Sequence, residues 1–326
     1  MNALAYNRRR WLLATAALSA TATQGVRAQQ GAPGSRRLLV GFPAGGTADS
    51  LARAIGPMLG DASFHVIENK SGATGQLAAD TVRQAPADGN TLLLTPSSVL
   101  TLAPHLYKKP LYDTLRDFTP VACVCDHAFA LAVNGNSPIT DLAGFAAWAR
   151  AEPAKASYAT PGPGSAPHFL GVALGQAMGQ PLVHVPYRGV APGLQDLMGG
   201  QVASTINPLP TLLEYHRAKR IRILAISNPS RLASLPDVPT FAEAGYPALQ
   251  LVEWYGLFGP AGLSAATRTH IGDSVQRALG SAEMQAAARR LEVTPRYENG
   301  EALNRLVQAD LNRWHRQVAS TGIQLD

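Results

Sequence analysis

Residues 42–53 read Phe42-Pro43-Ala44-Gly45-Gly46-Thr47-Ala48-Asp49-Ser50-Leu51-Ala52-Arg53, a glycine-rich turn that ends one predicted strand and opens a helix predicted from about Ala48. Such a turn points backbone N–H groups and the positive end of a helix dipole at one place. It can therefore hold an anion without a catalytic residue. We interpret the stretch as a binding site for a carboxylate.

The residue types within this turn suit binding by the backbone. With Thr47 as the N-cap of the helix, its hydroxyl accepts a backbone N–H, while Gly45 and Gly46 allow an approach that larger side chains would block. Asp49 then lies in the first helical turn, where the helix dipole stabilises its charge. The alternative for Asp49 is a contact with the ligand, through ordered water or a cationic group.

Two further turns repeat this chemistry at the ends of predicted strands. The turn at residues 95–98 offers the hydroxyls and amides of Ser97 and Ser98 as donors. In the turn at residues 160–168, Ser165 can cap a helix whose early proline loses no hydrogen bond. His168 falls in the first turn of that helix, where it either contacts the ligand or packs the loop. The three turns together predict donors that face one crevice.

Short apolar strands alternate with helical patterns along the chain, which indicates an α/β fold. The predicted strands cover residues 37–42, 64–68, 91–95, 129–133, 156–160, 182–186 and 221–227. Two such units in series predict two lobes joined by short crossing strands. That arrangement favours hinge closure over a bound ligand.

The first 28 residues have the layout of a secretory signal, with Arg8, Arg9 and Arg10 before an apolar run and cleavage expected near Ala28. Residues 7–13 also resemble a twin-arginine signal. This segment carries four arginines and no acidic residue, so its removal lowers the net charge from +6 to +2. We therefore expect an exported, periplasmic protein without a nucleic-acid partner.

The sequence favours neither catalysis nor a cofactor. Its two cysteines, Cys123 and Cys125, supply too few ligands for a tetrahedral metal site, and we interpret them as small buried hydrophobic residues on one face of a strand. The residues that a secreted Ser-dependent hydrolase would recruit are Ser97, Ser98 or Ser165 with His168 and Asp49. Because the chain lacks the hydrolase, phosphate-loop, zinc and dinucleotide motifs, we predict no enzyme, no cofactor and no metal, with that hydrolase as the alternative.

Further motifs follow the opening turn in a fixed order. They are ENKSGATG at 68–75, PADGNTLLL at 86–94, LYKK at 106–109, DFTPV at 117–121, HVPYRG at 184–189, GGQV at 199–202, LPDVPT at 235–240 and WYGL at 254–257. In this combination the chain resembles the periplasmic solute-binding receptors of tripartite tricarboxylate transporters, often called Bug-type proteins. The resemblance covers nearly all of the chain after residue 28.

The resemblance implies an α/β, two-lobed type II periplasmic-binding-protein (flytrap) architecture, each lobe a mostly parallel sheet flanked by helices. The implied organisation is a signal peptide at 1–28, lobe one at 29–130, lobe two at 131–252 and a return to lobe one at 253–326 with C-terminal helices. Such a monomeric receptor binds a small organic acid in the cleft and delivers it to the permease subunits of the transporter. The alternative is that the protein is an orphan ligand sensor whose partner is a signalling kinase.

The resemblance also carries binding roles to matching positions. The opening turn supplies Pro43, Gly45, Gly46, Thr47, Ala48 and Asp49, the second loop Ser97 and Ser98, and lobe two Thr160, Gly164, Ser165, His168 and Asn207. Arg188 is interpreted as a surface or hinge residue. Pro163, Ala166 and Pro167 replace positions that are often polar in the family, and Asn207-Pro208 stands where Asp-Asn is common, so donors are lost there. We therefore expect a monocarboxylate with an apolar or aromatic tail, with a small dicarboxylate as the alternative.

Overall fold

The computed structural model describes residues 36–60, 64, 66–321 and 323–325, and the predicted secretory signal lies outside them. The unit Arg36–Asp326 is compact. Among the helices of these described ranges, none combines the length and the apolar character that a membrane crossing requires.

The strands are β1 (Arg37–Val40), β2 (Val66–Asn69), β3 (Thr91–Pro96), β4 (Phe118–Asn134), β5 (Ser157–Thr160), β6 (Val183–Pro186), β7 (Ser204–Pro208), β8 (Ile221–Ile226), β9 (Val252–Pro260) and β10 (Thr294–Asn299). The α-helices are α1 (Thr47–Ile55), α2 (Gln76–Arg83), α3 (Ser97–Thr101), α4 (Ala103–Leu106), α5 (Thr114–Asp117), α6 (Leu142–Ala151), α7 (Ala166–Met178), α8 (Val190–Met198), α9 (Leu213–Arg217), α10 (Ala265–Gly280), α11 (Ala282–Leu291) and α12 (Gly300–Thr321). Short 3₁₀ turns lie at Gly56–Met58, Ala73–Gly75, Pro153–Lys155, Leu209–Thr211 and Pro247–Leu249.

The described strands form one sheet with the order β2-β1-β3-β9-β4-β7-β5-β6, and β8 and β10 also pair with β4. The first part of β4 pairs with β9 and β10, and its second part pairs with β7 and β8. We call β1, β2, β3, β9 and β10 the first strand group and β5 to β8 the second strand group. Strand β4 therefore belongs to both.

The predicted α/β class and periplasmic-binding architecture are confirmed, with a correction to the strand directions. Strand β1 is parallel to β2 and β3, and β5 is parallel to β6 and β7. All pairings of β4, and the pairing of β3 with β9, are antiparallel. The sheet is therefore mixed rather than mostly parallel.

The connection between the strand groups also differs from expectation, because β4 is 17 residues long instead of short. Only its second part was predicted from the sequence, since Pro120, Asp126 and His127 interrupt the apolar pattern of the first part. The lobe boundaries at 130 and 252 stay a prediction.

Helices cover both faces of the sheet. Leu38 and Val40 of β1 pack with α1, α10 and α11 on one face, while Leu39 packs with α2 and α12 on the other. The two cysteines are both buried, as predicted. They do not share a face, because a bulge between Cys123 and Cys125 places them in different hydrophobic clusters.

Candidate functional site

A cavity of about 310 Å³ lies where turns from the two strand groups meet, within the size range of small-molecule sites. Much of its wall is apolar. This part of the lining consists mainly of Phe42, Pro96, Phe129, Pro161, Pro167, Val190, Pro192, Leu194, Pro208 and Tyr255. Polar side chains enter the wall at a few places only, at Thr47, Ser98, Ser165, Arg188, Thr211, Tyr215 and Glu253.

The turn between β1 and α1 forms one end of the cavity. Five of its predicted site residues line the wall, namely Pro43, Gly45, Gly46, Thr47 and Ala48. The N-cap of α1 is Gly46 rather than Thr47, so Thr47 occupies the first helical position. Its Oγ1 is buried and has no hydrogen-bond partner. Because the first N–H groups of a helix lack acceptors within the helix, the turn offers several backbone donors beside this hydroxyl.

Asp49 fixes the shape of the turn from behind. Its Oδ2 accepts the N–H of Gly45 at 2.9 Å and the Nε of Arg53 at 3.0 Å. Burial opposes ionisation, but the bonds from Arg53 and Gly45 hold the pKa of Asp49 below its usual value. Arg53 in turn donates to Asn69, whose Nδ2 donates to the carbonyl of Phe42 at 3.0 Å. Among the described residues, Asp49 is not part of the cavity wall, and its contact with a ligand stays a prediction.

Gly46 leaves room that the fold does not need. A Cβ built at this residue would meet only the carbonyl oxygen of Pro43, at 3.5 Å, which is an ordinary contact. Its φ of −79° is open to any residue. The missing side chain therefore widens the cavity at the helix end without being required for folding.

The second predicted donor turn is already occupied by a side chain of the protein. Oε1 of Glu253 accepts the N–H of Ser98 at 2.8 Å and the hydroxyl of Ser97 at 3.4 Å. Ser98 and Glu253 both line the cavity, whereas Ser97 does not. A ligand contact of Ser97 or Ser98 stays a prediction, and the Ser98 N–H has an internal acceptor.

Sequence reasoning missed Glu253. It lies in β9 within the otherwise apolar run 251–258, and a single charge in such a strand is the signal that could have found it. Its side chain is 5% exposed. Burial raises the pKa of Glu253 to about 7, although the bonds from Ser98 and Ser97 act in the opposite direction. The cleft thus contains a carboxyl that titrates near neutral pH.

The third predicted turn lies on the opposite wall. Ser165 lines the cavity, and its hydroxyl donates to the carbonyl of Gly162 at 2.7 Å instead of capping α7. Gly164 donates its N–H to Nδ1 of His168 at 3.1 Å. Thr160 donates to the same Gly162 carbonyl at 3.1 Å. The His168 ring thus accepts a hydrogen bond within the loop, and ligand contacts of Thr160, Gly164 and His168 stay a prediction.

Asn207 of β7 and Arg188, which follows β6, differ in their relation to the cavity, and a ligand contact of Asn207 stays a prediction. Asn207 is buried and donates to Oγ1 of Thr205, while its Oδ1 has no partner. The cavity is lined by its neighbour Pro208 rather than by Asn207. Arg188, interpreted as a surface or hinge residue, is exposed and lines the cavity. It places a positive charge at the second group's side of the cleft.

The serine residues do not form a hydrolytic arrangement within the described chain. Nδ1 of His168 is used by Gly164, and the Ser165 hydroxyl is used by Gly162. The described residues also contain no cluster of His, Cys, Asp and Glu suited to a metal ion.

Comparison with known proteins places this geometry in a family. The profile described as "Tripartite tricarboxylate transporter family receptor" matches residues 49–323. The UPF0065 protein in the tcbD-tcbE intergenic region of Pseudomonas sp. (strain P51) is 32% identical over 316 residues, which cover 95% of this chain and 94% of that protein.

Solved structures agree with the sequence match. R. palustris Rpa4515 with adipate is 32% identical, with a TM-score of 0.85 over 89% of this chain and 98% of that one. The periplasmic binding protein BugD is 29% identical, with a TM-score of 0.83 over the same shares. With its two strand groups, its cleft and these similarities, the chain belongs to the tripartite tricarboxylate transporter family of receptors, the Bug-type solute-binding proteins.

Proposed function

We propose that this protein is a periplasmic receptor that captures a small organic carboxylate in the cleft, holds it on the backbone amides at the start of α1, residues 46–48, and delivers it to a membrane permease. The observation that carries the proposal is the buried hydroxyl of Thr47, which has no partner and lies in the cavity wall. It stands at the start of α1, where the first N–H groups have no acceptor within the helix. Donors of this kind hold a carboxylate through charge-assisted hydrogen bonds.

The family supports the ligand class and the compartment. The similar Rpa4515 was solved with adipate, a carboxylate, and BugD is described as periplasmic. The arginine-rich apolar start of the chain suits export. Delivery to a permease follows the role for which the family is named, and an orphan sensor that signals to a kinase remains the alternative partner arrangement.

The first experiment is a thermal-shift screen of the purified protein against monocarboxylates, dicarboxylates, aromatic acids and amino acids. A ligand at one hundred times its Kd adds about 2.7 kcal/mol to the free energy of unfolding, which a rise in Tm reveals. Mass spectrometry of the denatured protein checks first for an acid carried through purification.

The position of the site is tested with Gly46→Leu, which fills the space beside the amides. We expect a loss of affinity of 100-fold or more, at little cost in Tm, because a Cβ at Gly46 has ordinary contacts only. Gly280→Leu is the matched control, since Gly280 ends α10 and a Cβ there meets nothing within 4 Å. Unchanged affinity in Gly46→Leu would place the carboxylate elsewhere.

A further inference from the structure

We propose that Glu253 determines ligand specificity: its own carboxylate occupies the donors of Ser97 and Ser98 and places a negative charge in the cavity wall, so the receptor selects monocarboxylates. This inference rests on the proposed function, because it requires a ligand carboxylate at residues 46–48. The ligand class that it names is a monocarboxylate with an apolar tail.

The internal carboxylate uses the donors that the sequence offered to a ligand. Oε1 of Glu253 lies 2.8 Å from the Ser98 nitrogen and 3.4 Å from the Ser97 hydroxyl, at the start of α3. Both Glu253 and Ser98 reach the cavity wall. A ligand that enters the cleft therefore meets an acceptor here in place of free donors.

The charge of Glu253 has no cationic partner among the described ion pairs. On β4, Nε2 of His127 lies 3.6 Å from Oε2 of Glu253. Burial lowers the pKa of His127 to about 3, so this imidazole is neutral. Asp310 of α12 adds a negative charge nearby, and Tyr255 of β9 stays uncharged because burial raises its pKa. Because Asp310 is paired with Arg313 at 3.2 Å, the charge without a cationic partner that a second carboxylate would meet is that of Glu253.

The remainder of this end of the cleft suits hydrocarbon. Pro96, Phe129 and Tyr255 line the wall next to Glu253 and Ser98. Arg188 lines the wall contributed by the second strand group. If Arg188 paired with a second carboxylate, the receptor would prefer dicarboxylates, which is the outcome opposite to the one proposed here.

The test compares pairs of acids matched in chain length: butyrate with succinate, and hexanoate with adipate. Calorimetry at pH 8.5, where Glu253 is ionised, gives the affinity ratio of each pair for the wild type and for Glu253→Gln. Glutamine keeps the size and an acceptor for Ser98 but removes the charge. Glu283→Gln, at an exposed residue in the first turn of α11, is the control for loss of one negative charge.

We expect the wild type to favour the monocarboxylate and Glu253→Gln to shift the ratio toward the dicarboxylate by at least about tenfold, as expected for two like charges roughly 7 Å apart in a protein environment. The control should leave the ratio unchanged. A wild type that prefers dicarboxylates, or a ratio that Glu253→Gln does not shift, would overturn the inference while leaving the receptor function intact. Binding of no acid by either protein would remove the proposed function and this inference with it.

A pH comparison separates charge from shape. Between pH 8.5 and 6.5 Glu253 takes up a proton, so the wild type should gain affinity for adipate by about threefold or more, while Glu253→Gln should show no gain. Both pH values lie above the range in which a free carboxylic acid titrates. An equal response of the two proteins would show that another group controls the cleft.

Discussion

Asp49 illustrates at the scale of single residues how the anion site is held in shape. Its carboxylate closes the turn onto Gly45 and is paired with Arg53, with 2.9 Å between Nη2 of Arg53 and Oδ1. The negative charge therefore supports the amides from behind and leaves the cavity side to the ligand. The helix dipole also stabilises the negative charge of Asp49, because this residue lies in the first turn of α1.

We expect Asp49→Asn to lower the free energy of unfolding by about 1 to 2 kcal/mol, because the bonds that Gly45 and Arg53 donate to the carboxylate are weakened. The loss stays this small because Arg53 is partly exposed to solvent. The affinity for the ligand should change by less than about threefold. Urea unfolding and calorimetry measure the two effects. Asp80→Asn is a matched control at a second aspartate–arginine pair on α2. A large loss of affinity at unchanged stability would instead put Asp49 in contact with the ligand.

At the scale of elements, the start of α7 depends on two neutral histidines. The rings of His168 and His184 stack at 3.8 Å, and His184 forms a 2.7 Å hydrogen bond with Oγ1 of Thr160. Burial lowers the pKa of His168 to about 4, and burial, together with the repulsion that two protonated rings would have, lowers the pKa of His184 to about 3. Both imidazoles are therefore neutral at neutral pH in the folded loop at the second wall of the cleft.

Acid should accordingly destabilise the protein. Between about pH 4 and 6.5 the unfolded chain binds more protons at these histidines than the folded one, so the free energy of unfolding falls as the pH is lowered from 6.5. We expect a loss of about 1 to 2 kcal/mol per histidine by pH 5, and a shallower fall of Tm with acid for His184→Gln. Glu253 has the opposite effect on stability, since its raised pKa favours folding at low pH. This effect is the same in the wild type and in His184→Gln, so it does not contribute to the difference between their Tm profiles. Parallel Tm profiles would contradict this account.

The sequence predicted the parallel parts of the sheet better than the antiparallel ones. Strands β1, β3 and β5 have continuous apolar runs next to a glycine or proline turn, and these patterns were recognised. Strands β7, β9 and β10 were not predicted, because polar residues such as Asn207 and Glu253 interrupt their apolar patterns.

The same reason explains what was predicted of the cleft. The turn at residues 43–48 was recognised because backbone amides at a helix start follow from glycines and a helical pattern alone. The partnership of Glu253 with Ser98 was not, because it joins residues 155 positions apart through the pairing of β3 with β9. A turn formed by neighbouring residues can be predicted from the sequence. The side chain that accepts hydrogen bonds from such a turn cannot, because it depends on the order of the strands in the sheet.

At the scale of the whole molecule, loops that follow strands of the two groups are in contact. Oγ1 of Thr74, which follows β2, donates to the carbonyl of Pro163, which follows β5, at 2.8 Å. Gly189 lies so close to Pro43 that a Cβ would approach its ring to 2.9 Å. The second of these contacts links the first donor turn to the second wall, since Pro43 and Gly189 both line the cavity.

We expect Thr74→Val to weaken ligand binding by about two- to tenfold, because the arrangement that encloses the ligand loses one hydrogen bond. The loss should show as faster dissociation in stopped-flow displacement. Thr74→Ser keeps the hydroxyl and is the control. Equal dissociation rates for Thr74→Val and the wild type would show that this bond does not contribute to retention of the ligand.

Strand β4 has a consequence for how such receptors diversify. Each strand group uses part of the same 17 residues, so neither group is complete without them. We therefore expect that a chimera that joins one strand group from each of two receptors folds poorly. Its β4 comes from one parent and has to pair with strands from the other. A single substitution at a strand end, such as the one proposed at residue 253, leaves this shared strand intact.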